Sequence, residues 1–295
     1  METKAGHKLV RSAKAQGFDE ERLDSYTLVL QIGTRDFQAM AWNEKSGLVE
    51  WLEDYSLQET SSHLLHMHLV RDLIESHFLL PARFWKRLIV GFKTDRFIQV
   101  PKSIFHAEAA ADYLSFNCRI EPGDVVMSGP CHYAGTETAF AAPGNLVDWL
   151  NDYYQAIPKE FVHQSSAIIT GAARYGGSGR TLHLFADRFR VHIICVSKER
   201  LEYYNQFAIR QFGDYMRYLG LAINALGLDP EKCPLILWGY LGADSPVALE
   251  FGKYVKNLHL GTRQLPVRMG IGISGIQDHQ FMDLMALPFT QPFVK

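Results

Sequence analysis

Apolar positions alternate and then run together over Tyr26-Thr-Leu-Val-Leu-Gln-Ile-Gly-Thr-Arg-Asp-Phe-Gln-Ala-Met-Ala-Trp42, and the same layout returns at Leu182-His-Leu-Phe-Ala-Asp-Arg-Phe-Arg-Val-His-Ile-Ile-Cys-Val196. Each stretch predicts a strand, a tight turn and a second strand. A third strand and a long helix follow in both places. The pattern therefore predicts two copies of one unit facing each other across a cleft.

In the first copy, strands are expected at 26–33, 36–42 and 47–54, with turns at Gly33-Thr-Arg and Asn43-Glu-Lys-Ser-Gly47. Ser56-Leu-Gln-Glu59 has the form of a capping box, which predicts a helix from there to His77, with Leu65, Leu69, Val70, Leu73 and Ile74 on one broad face. Leu88-Ile-Val-Gly-Phe92 suits a strand buried on both sides and parallel to the first. A less regular block covers residues 93–178. In it Phe97-Ile-Gln-Val-Pro-Lys is extended, the alanine-rich His106 to Phe116 is helical, Val125-Val-Met and Thr136 to Ala142 are strands, and a helix starts near Pro143 and Asn145. Gly176-Gly-Ser-Gly179 lacks the ending of a phosphate loop and reads as a connector.

The second copy predicts strands at 181–186, 189–196 and 201–208, then a helix with Phe212, Tyr215, Met216, Leu219, Ile223 and Leu226 on one face. Gly227 stops that helix, Pro234-Leu-Ile-Leu-Trp238 is the next strand, and Ser245-Pro246 opens another helix to Lys256. The expected divisions are a basic leader over 1–24 that wraps onto the body or frays, a first half over 25–178 with its irregular insertion, and a second half over 179–295.

Composition changes this picture little. Hydrophobic residues at 47% and charged residues at 21% of 295 suit globular domains with their own cores. A formal net charge of -2 gives no long-range field to attract nucleic acid or anionic lipid, so neither is expected as a partner. The leader lacks the apolar core of a signal peptide, and no run approaches the roughly 20 apolar residues of a membrane span. A cytoplasmic chain is expected, with Cys118, Cys131, Cys195 and Cys233 reduced, since none forms a C-x-x-C pair.

Three antiparallel strands followed by a helix and a parallel strand resemble the unit of the ribonuclease H-like fold, and two in tandem resemble the actin-like ATPase architecture. The fold class this implies is α/β, with two tandem units, each a mixed five-stranded sheet with flanking helices. Phe97-Ile-Gln-Val-Pro-Lys-Ser-Ile-Phe with Tyr113-Leu-Ser-Phe-Asn117, then Tyr204-Asn-Gln-Phe207, Leu226-Gly-Leu-Asp-Pro-Glu-Lys-Cys-Pro-Leu and the tail Asp278-His-Gln-Phe-Met-Asp-Leu-Met-Ala-Leu287 are similar to a bacterial family known only as a domain of unknown function with an actin-like fold. That resemblance covers most of residues 25–290 and implies a fold without an assigned activity.

Actin-like ATPases hold phosphate and Mg²⁺ with an Asp-x-Gly-Thr turn in one half and a related Asp-x-Gly turn in the other. Here Gln31-Ile-Gly33-Thr34 keeps the turn and the hydroxyl but replaces the carboxylate with an amide, which brings no charge to offset Mg²⁺. Phe185-Ala-Asp187-Arg188 places an aromatic residue at the other aspartate and lacks the glycine. Losing metal-assisted charge stabilisation, worth several kcal/mol, slows hydrolysis roughly a thousandfold or more. Trp238-Gly239-Tyr240-Leu-Gly242 stands where the adenosine turn belongs, and Tyr240 either stacks on a base or simply packs. Asp36, Asp187 or Asp244 could in principle replace a lost carboxylate, but Asp36 and Asp187 lie past their turns and nothing in the spacing places them at a metal. A nuclease would need carboxylates clustered on the central strands, which the Gln31-Ile32 and Leu88 to Val90 stretches do not supply.

Two other signals are discounted. His63, His66 and His68 cannot converge from one straight helix, which leaves at most a pair at His63 and His66. Gly270-Ile-Gly272-Ile-Ser-Gly275 matches a dinucleotide fingerprint by letter, but too little chain follows it for a βαβ unit. The reading that results is a non-catalytic actin-like protein that binds an unknown protein partner or itself, with Gln31, Gly33, Thr34, Asp187, Gly239 and Tyr240 as a vestigial nucleotide cleft. No metal ligand, catalytic residue or cofactor is expected. The alternative is an ATP-binding enzyme of the actin-like and kinase superfamily that uses ATP and Mg²⁺ through divergent phosphate ligands.

Overall fold

The protein was analysed as a computed structural model, which describes residues 6–176 and 179–290. Gly177 and Ser178 of the expected connector lie outside the described residues.

Strands β1 (His7–Lys14), β2 (Thr27–Gly33), β3 (Asp36–Asn43) and β4 (Leu48–Leu57) precede helix α1 (His63–Ser76) and strand β5 (Arg87–Lys93). The expected capping box is corrected here. Ser56 and Leu57 are held in β4 by pairing with β1 on one side, and Ser56 also pairs with Asp36 of β3 on the other, so sheet hydrogen bonds outcompete a local cap. The cap lies six residues later, where Ser62 Oγ accepts from the Leu65 N–H at 3.3 Å. Val70, Leu73 and Ile74 are buried as the periodicity predicts, whereas Leu65 is exposed.

The insertion contributes β6 (Phe97–Pro101), the short helix α2 (Ala110–Ser115), β7 (Asp124–Cys131), β8 (Thr136–Pro143) and α3 (Gly144–Tyr153). Its strands form a separate antiparallel sheet ordered β6-β8-β7. Two elements that periodicity did not reveal follow, β9 (Lys159–His163) and α4 (Gln164–Arg174). Every residue of α4 from Gln164 to Ala173 is buried, so the helix has no polar face to produce a 3.6-residue alternation.

The chain continues through β10 (Arg180–Ala186), β11 (Arg190–Ser197), β12 (Arg200–Ala208), α5 (Phe212–Leu226), β13 (Leu235–Gly239), α6 (Pro246–Tyr254), β14 (Leu258–Leu260), β15 (Arg268–Met269) and α7 (Met282–Ala286). The second sheet is ordered β12-β11-β10-β13-β14, and the order β4-β3-β2-β5-β9 recurs in the first. The first sheet is larger than the five strands expected. It has seven, because leader residues form β1 against β4 and β15 adds a parallel pairing at Leu48 and Val49.

The first sheet is buried on both faces. Leu28, Leu30 and Ile32 of β2 join Val70, Leu73, Leu146 and Leu150 of α1 and α3 on one side. On the other, Val29, Met40 and Ile89 pack under Leu265, Phe281, Leu284 and Leu287 from the C-terminal segment. That segment follows the second sheet in sequence but covers the first. Helix α4 meets the second sheet, where Ile168 and Ala172 share a cluster with Phe185, Ile236 and Trp238. Close packing explains Gly171 of α4, since a Cβ there would lie 2.0 Å from Met282 Sδ.

Candidate functional site

The hairpin turns β2–β3 and β10–β11 hold equivalent places in the two sheets, and the ends of β5 and β13 lie beside them. In the first turn the Gly33 carbonyl accepts a hydrogen bond from His66 Nε2 at 2.9 Å, which joins the turn to α1. A Cβ on Gly33 would stand 2.1 Å from Asp36 Oδ1, so a larger residue there would displace the Asp36 carboxylate. In the second turn Asp187 Oδ1 accepts from the N–H groups of Phe189 and Arg190 at 2.8 and 2.6 Å, closing the turn on its own side chain.

Lys93, the last residue of β5, lies where the sheets meet and is 3% exposed. Its ammonium donates to Asp36 Oδ2 at 2.7 Å and lies 4.0 Å from Asp283 Oδ2 of α7, which also accepts from Gln164 Nε2 at 2.8 Å. Burial alone would pull this lysine toward neutrality. The carboxylates of Asp36, Asp283 and Asp187 outweigh it and raise the pKa above the ordinary lysine value. Burial likewise opposes ionisation of Asp187, and His192, Lys93 and the Phe189 N–H reverse that effect to hold its pKa below the usual carboxylate range.

A second polar group completes the junction. Arg188 of the β10–β11 turn pairs with Asp54 of β4 and donates to the Tyr55 carbonyl at 3.2 Å. Asp54 also accepts from the Tyr240 hydroxyl at 3.0 Å and from Gln38 Nε2 at 3.2 Å. The Tyr240 ring lies under the Arg188 guanidinium, 5.1 Å from its carbon. Asp54 nevertheless keeps a raised pKa because desolvation exceeds these contacts.

The six residues singled out from sequence are divided by the structure. Gly33 and Thr34 line a cavity of 420 Å³ between α1, the end of β5 and the insertion. Asp187, Gly239 and Tyr240 line a much smaller one of 10 Å³, beside Lys93 and Asp283. Gln31 lines neither; it is fully buried in β2, and neither atom of its amide has a hydrogen-bond partner. Gly239 has φ +85°, and a Cβ on it would lie 2.0 Å from the Ala186 carbonyl oxygen, so close pairing of β13 with β10 accounts for this glycine.

Sequence reasoning missed Lys93, Asp54, Asp283 and Gln38. The available signal for Lys93 was a charge placed directly after an apolar run that already read as a strand buried on both sides. Asp244 is exposed. His63 Nδ1 lies 3.7 Å from Asp124 while His66 is bound to Gly33, so the two rings serve different partners. Among the described residues no group of three His, Cys, Asp or Glu is placed to hold a metal ion, and no helix is long and apolar enough to cross a membrane. The Gly270 to Gly275 stretch is a loop after β15, tied to β4 by the Gly270 N–H and the Val49 carbonyl at 2.8 Å.

Comparison with known proteins places this geometry in a family. Residues 15–258 match the model described as a protein of unknown function, DUF3822, and the chain belongs to that family. A solved structure from Bacteroides thetaiotaomicron, a protein with an actin-like ATPase fold and unknown function, superposes with a TM-score of 0.76 at 19% identity, covering 92% of this chain and 98% of that one. The PilM-PilN type IV pilus biogenesis complex provides a second neighbour, with a TM-score of 0.61 at 13% identity, covering 90% and 99%. These likenesses establish a mixed α/β structure with the actin-like ATPase fold. No curated protein matches the chain by sequence.

Proposed function

We propose that the chain is a non-catalytic actin-like protein, two tandem ribonuclease H-like units facing across a degenerate nucleotide cleft, and that it works in the cytoplasm by binding a protein partner. The observation that carries this reading is the Lys93 ammonium, buried beside Asp36 and Asp283 at the meeting of the sheets. A metal-bound triphosphate needs free carboxylates for the metal and open backbone for the phosphates. Here the carboxylates already neutralise a fixed internal cation, the Asp187 turn is closed on itself, and the remaining space is 10 Å³, room for one water. The residues present at the junction do not fit Mg-ATP. The PilM neighbour, solved as a complex with PilN, supports a role in protein assembly on this fold.

The rival is an ATP-binding enzyme with divergent phosphate ligands, to which the larger cavity beside Gly33 and Thr34 lends its one supporting observation. Radiolabelled Mg-ATP separates the two readings. No turnover above the protein-free rate and no melting shift at millimolar Mg-ATP are expected, because stabilisation by a ligand vanishes when binding is weak. Turnover in the usual range of about 1 to 1000 per second would replace this reading with the rival.

A further inference from the structure

The 420 Å³ cavity shares only Lys93 with the small cavity at the junction, and its size is that of a small-molecule site. Its floor is apolar, formed by Ile32, Phe92, Ala142 and Leu146. Its rim holds a run of hydroxyls, Thr60, Ser61 and Ser62, at the N-terminus of the 14-residue helix α1, with Thr34 and Arg96 close by. Arg190 enters from the other sheet. Its side chain is only 19% exposed, yet its polar contacts are long, 3.5 Å to the Lys93 carbonyl and 3.8 Å to Asp95. A guanidinium so far removed from water and so loosely paired has unused donor capacity, which the three oxygens of a phosphate dianion fill more completely than a carboxylate with charge-assisted hydrogen bonds.

We propose that this cavity binds a small phosphorylated compound, its phosphate held by Arg190 and the hydroxyl-rich start of α1 and its organic body lying on the Ile32, Phe92 and Leu146 floor. Helix N-termini and guanidinium groups both favour phosphate oxygens. The rim also carries Glu59, Asp95 and Glu121, so the selectivity comes from directed donors rather than net charge. Asp95 competes with the ligand for Arg190, and at 70% exposure it turns to water at small cost once displaced. This assignment goes beyond the protein-binding role and stands independently of it, since an anion seated here touches neither Asp187 nor Tyr240.

The test is calorimetric titration of the full chain at neutral pH with phenyl phosphate, with phenol and benzoate as matched probes lacking the phosphate. Binding of phenyl phosphate with a Kd on the order of 1 mM or tighter is expected, at least tenfold stronger than either control. Arg190→Gln should weaken it about tenfold or more, while Asp95→Asn, which removes the competitor, should tighten it. Thr34→Val, at an exposed position on the β2–β3 turn, gives a second reading in the weakening direction should Arg190→Gln alter folding. Arg200→Gln, in a different cavity that shares no residue with this one, should leave affinity unchanged. Equal affinity for phenyl phosphate and either phenol or benzoate, or the same Kd in wild type and in the Arg190→Gln, Asp95→Asn and Thr34→Val variants, would overturn the assignment. Hydrolysis of Mg-ATP would overturn the non-catalytic reading without touching this one.

Discussion

The β2–β3 and β10–β11 turns occupy the same topological position in their sheets but have been put to opposite uses. The first leaves Gly33 and Thr34 facing a cavity and sends only Asp36 inward to Lys93. The second folds Asp187 back on its own N–H groups and sends Arg188 across to Asp54. A turn whose side chain satisfies its own backbone has no backbone N–H left for a ligand, whereas one whose carboxylate is drawn aside keeps an open rim. The contrast explains how two sheets of similar strand order can keep a cavity beside one turn while their junction is filled with charge.

The contrast depends most heavily on Lys93, because it neutralises both turns at once. Lys93→Met keeps the length of the side chain and removes the charge, leaving Asp36, Asp187 and Asp283 without their buried counter-ion. Breaking such a pair costs about 3–5 kcal/mol, so a fall in Tm on the order of 10 °C is expected by scanning calorimetry. A shift under a degree or two would mean that the carboxylates reach solvent and that the junction is not closed.

Acid should reveal the next effect. His163 and His183 are held at a pKa of about 3 by burial. The His183 Nδ1 accepts from Trp238 Nε1 at 3.0 Å, an arrangement that requires the neutral ring. Each histidine takes up its proton on unfolding, so its stabilising contribution is complete above about 6.5 and declines as pH falls from there toward 3. Well below 6.5 the slope is about 1.4 kcal/mol per pH unit for each, and urea midpoints between pH 6 and 4 measure it. His183→Asn should flatten that slope, and an unchanged slope would remove His183 from the account.

Substituting the two turns compares them directly. Asp187→Asn weakens two charge-assisted bonds to backbone N–H groups and is expected to cost about 2 kcal/mol. Thr34→Val, on the exposed rim, should change stability by no more than about 0.5 kcal/mol. Equal effects in thermal denaturation would erase the distinction between a self-closed turn and an open one.

The sequence shows the sheets more clearly than the junction between them, for physical reasons. Alternation at Tyr26 to Trp42 and Leu182 to Val196 identifies hairpins because each side chain reports its own face of a strand. Helix α4 was illegible because it is buried all round. β1 was obscured because it is an exposed edge strand carrying Lys8, Arg11 and Lys14, whose pairing with β4 leaves no apolar alternation to see. Gly33 and Thr34 could be nominated from local turn chemistry. The meeting of Lys93 with Asp36 and Asp283 depends on three separate segments brought together only by tertiary packing.

The last effect concerns Gln31, a buried amide in β2. It faces Gln38 across one strand pair and Gly91 across the other, in the layer that also holds Val29 and Ile89 under Leu287. Its oxygen and nitrogen are both buried and both without a partner, so this residue contributes desolvation cost and no hydrogen bond. Replacing an unsatisfied buried polar group with an apolar one of similar shape is neutral or stabilising, and Gln31→Met should raise stability by up to about 1 kcal/mol. Gln31→Asp puts a carboxylate at the same place and buries a negative charge where neither amide atom now has a partner. It should lower Tm and give no hydrolysis of Mg-ATP. The decisive measurement is the pair of variants together, melted with and without Mg-ATP. If Gln31→Met destabilises, the amide has a bound partner, and the first turn contributes more to the junction than its open rim implies.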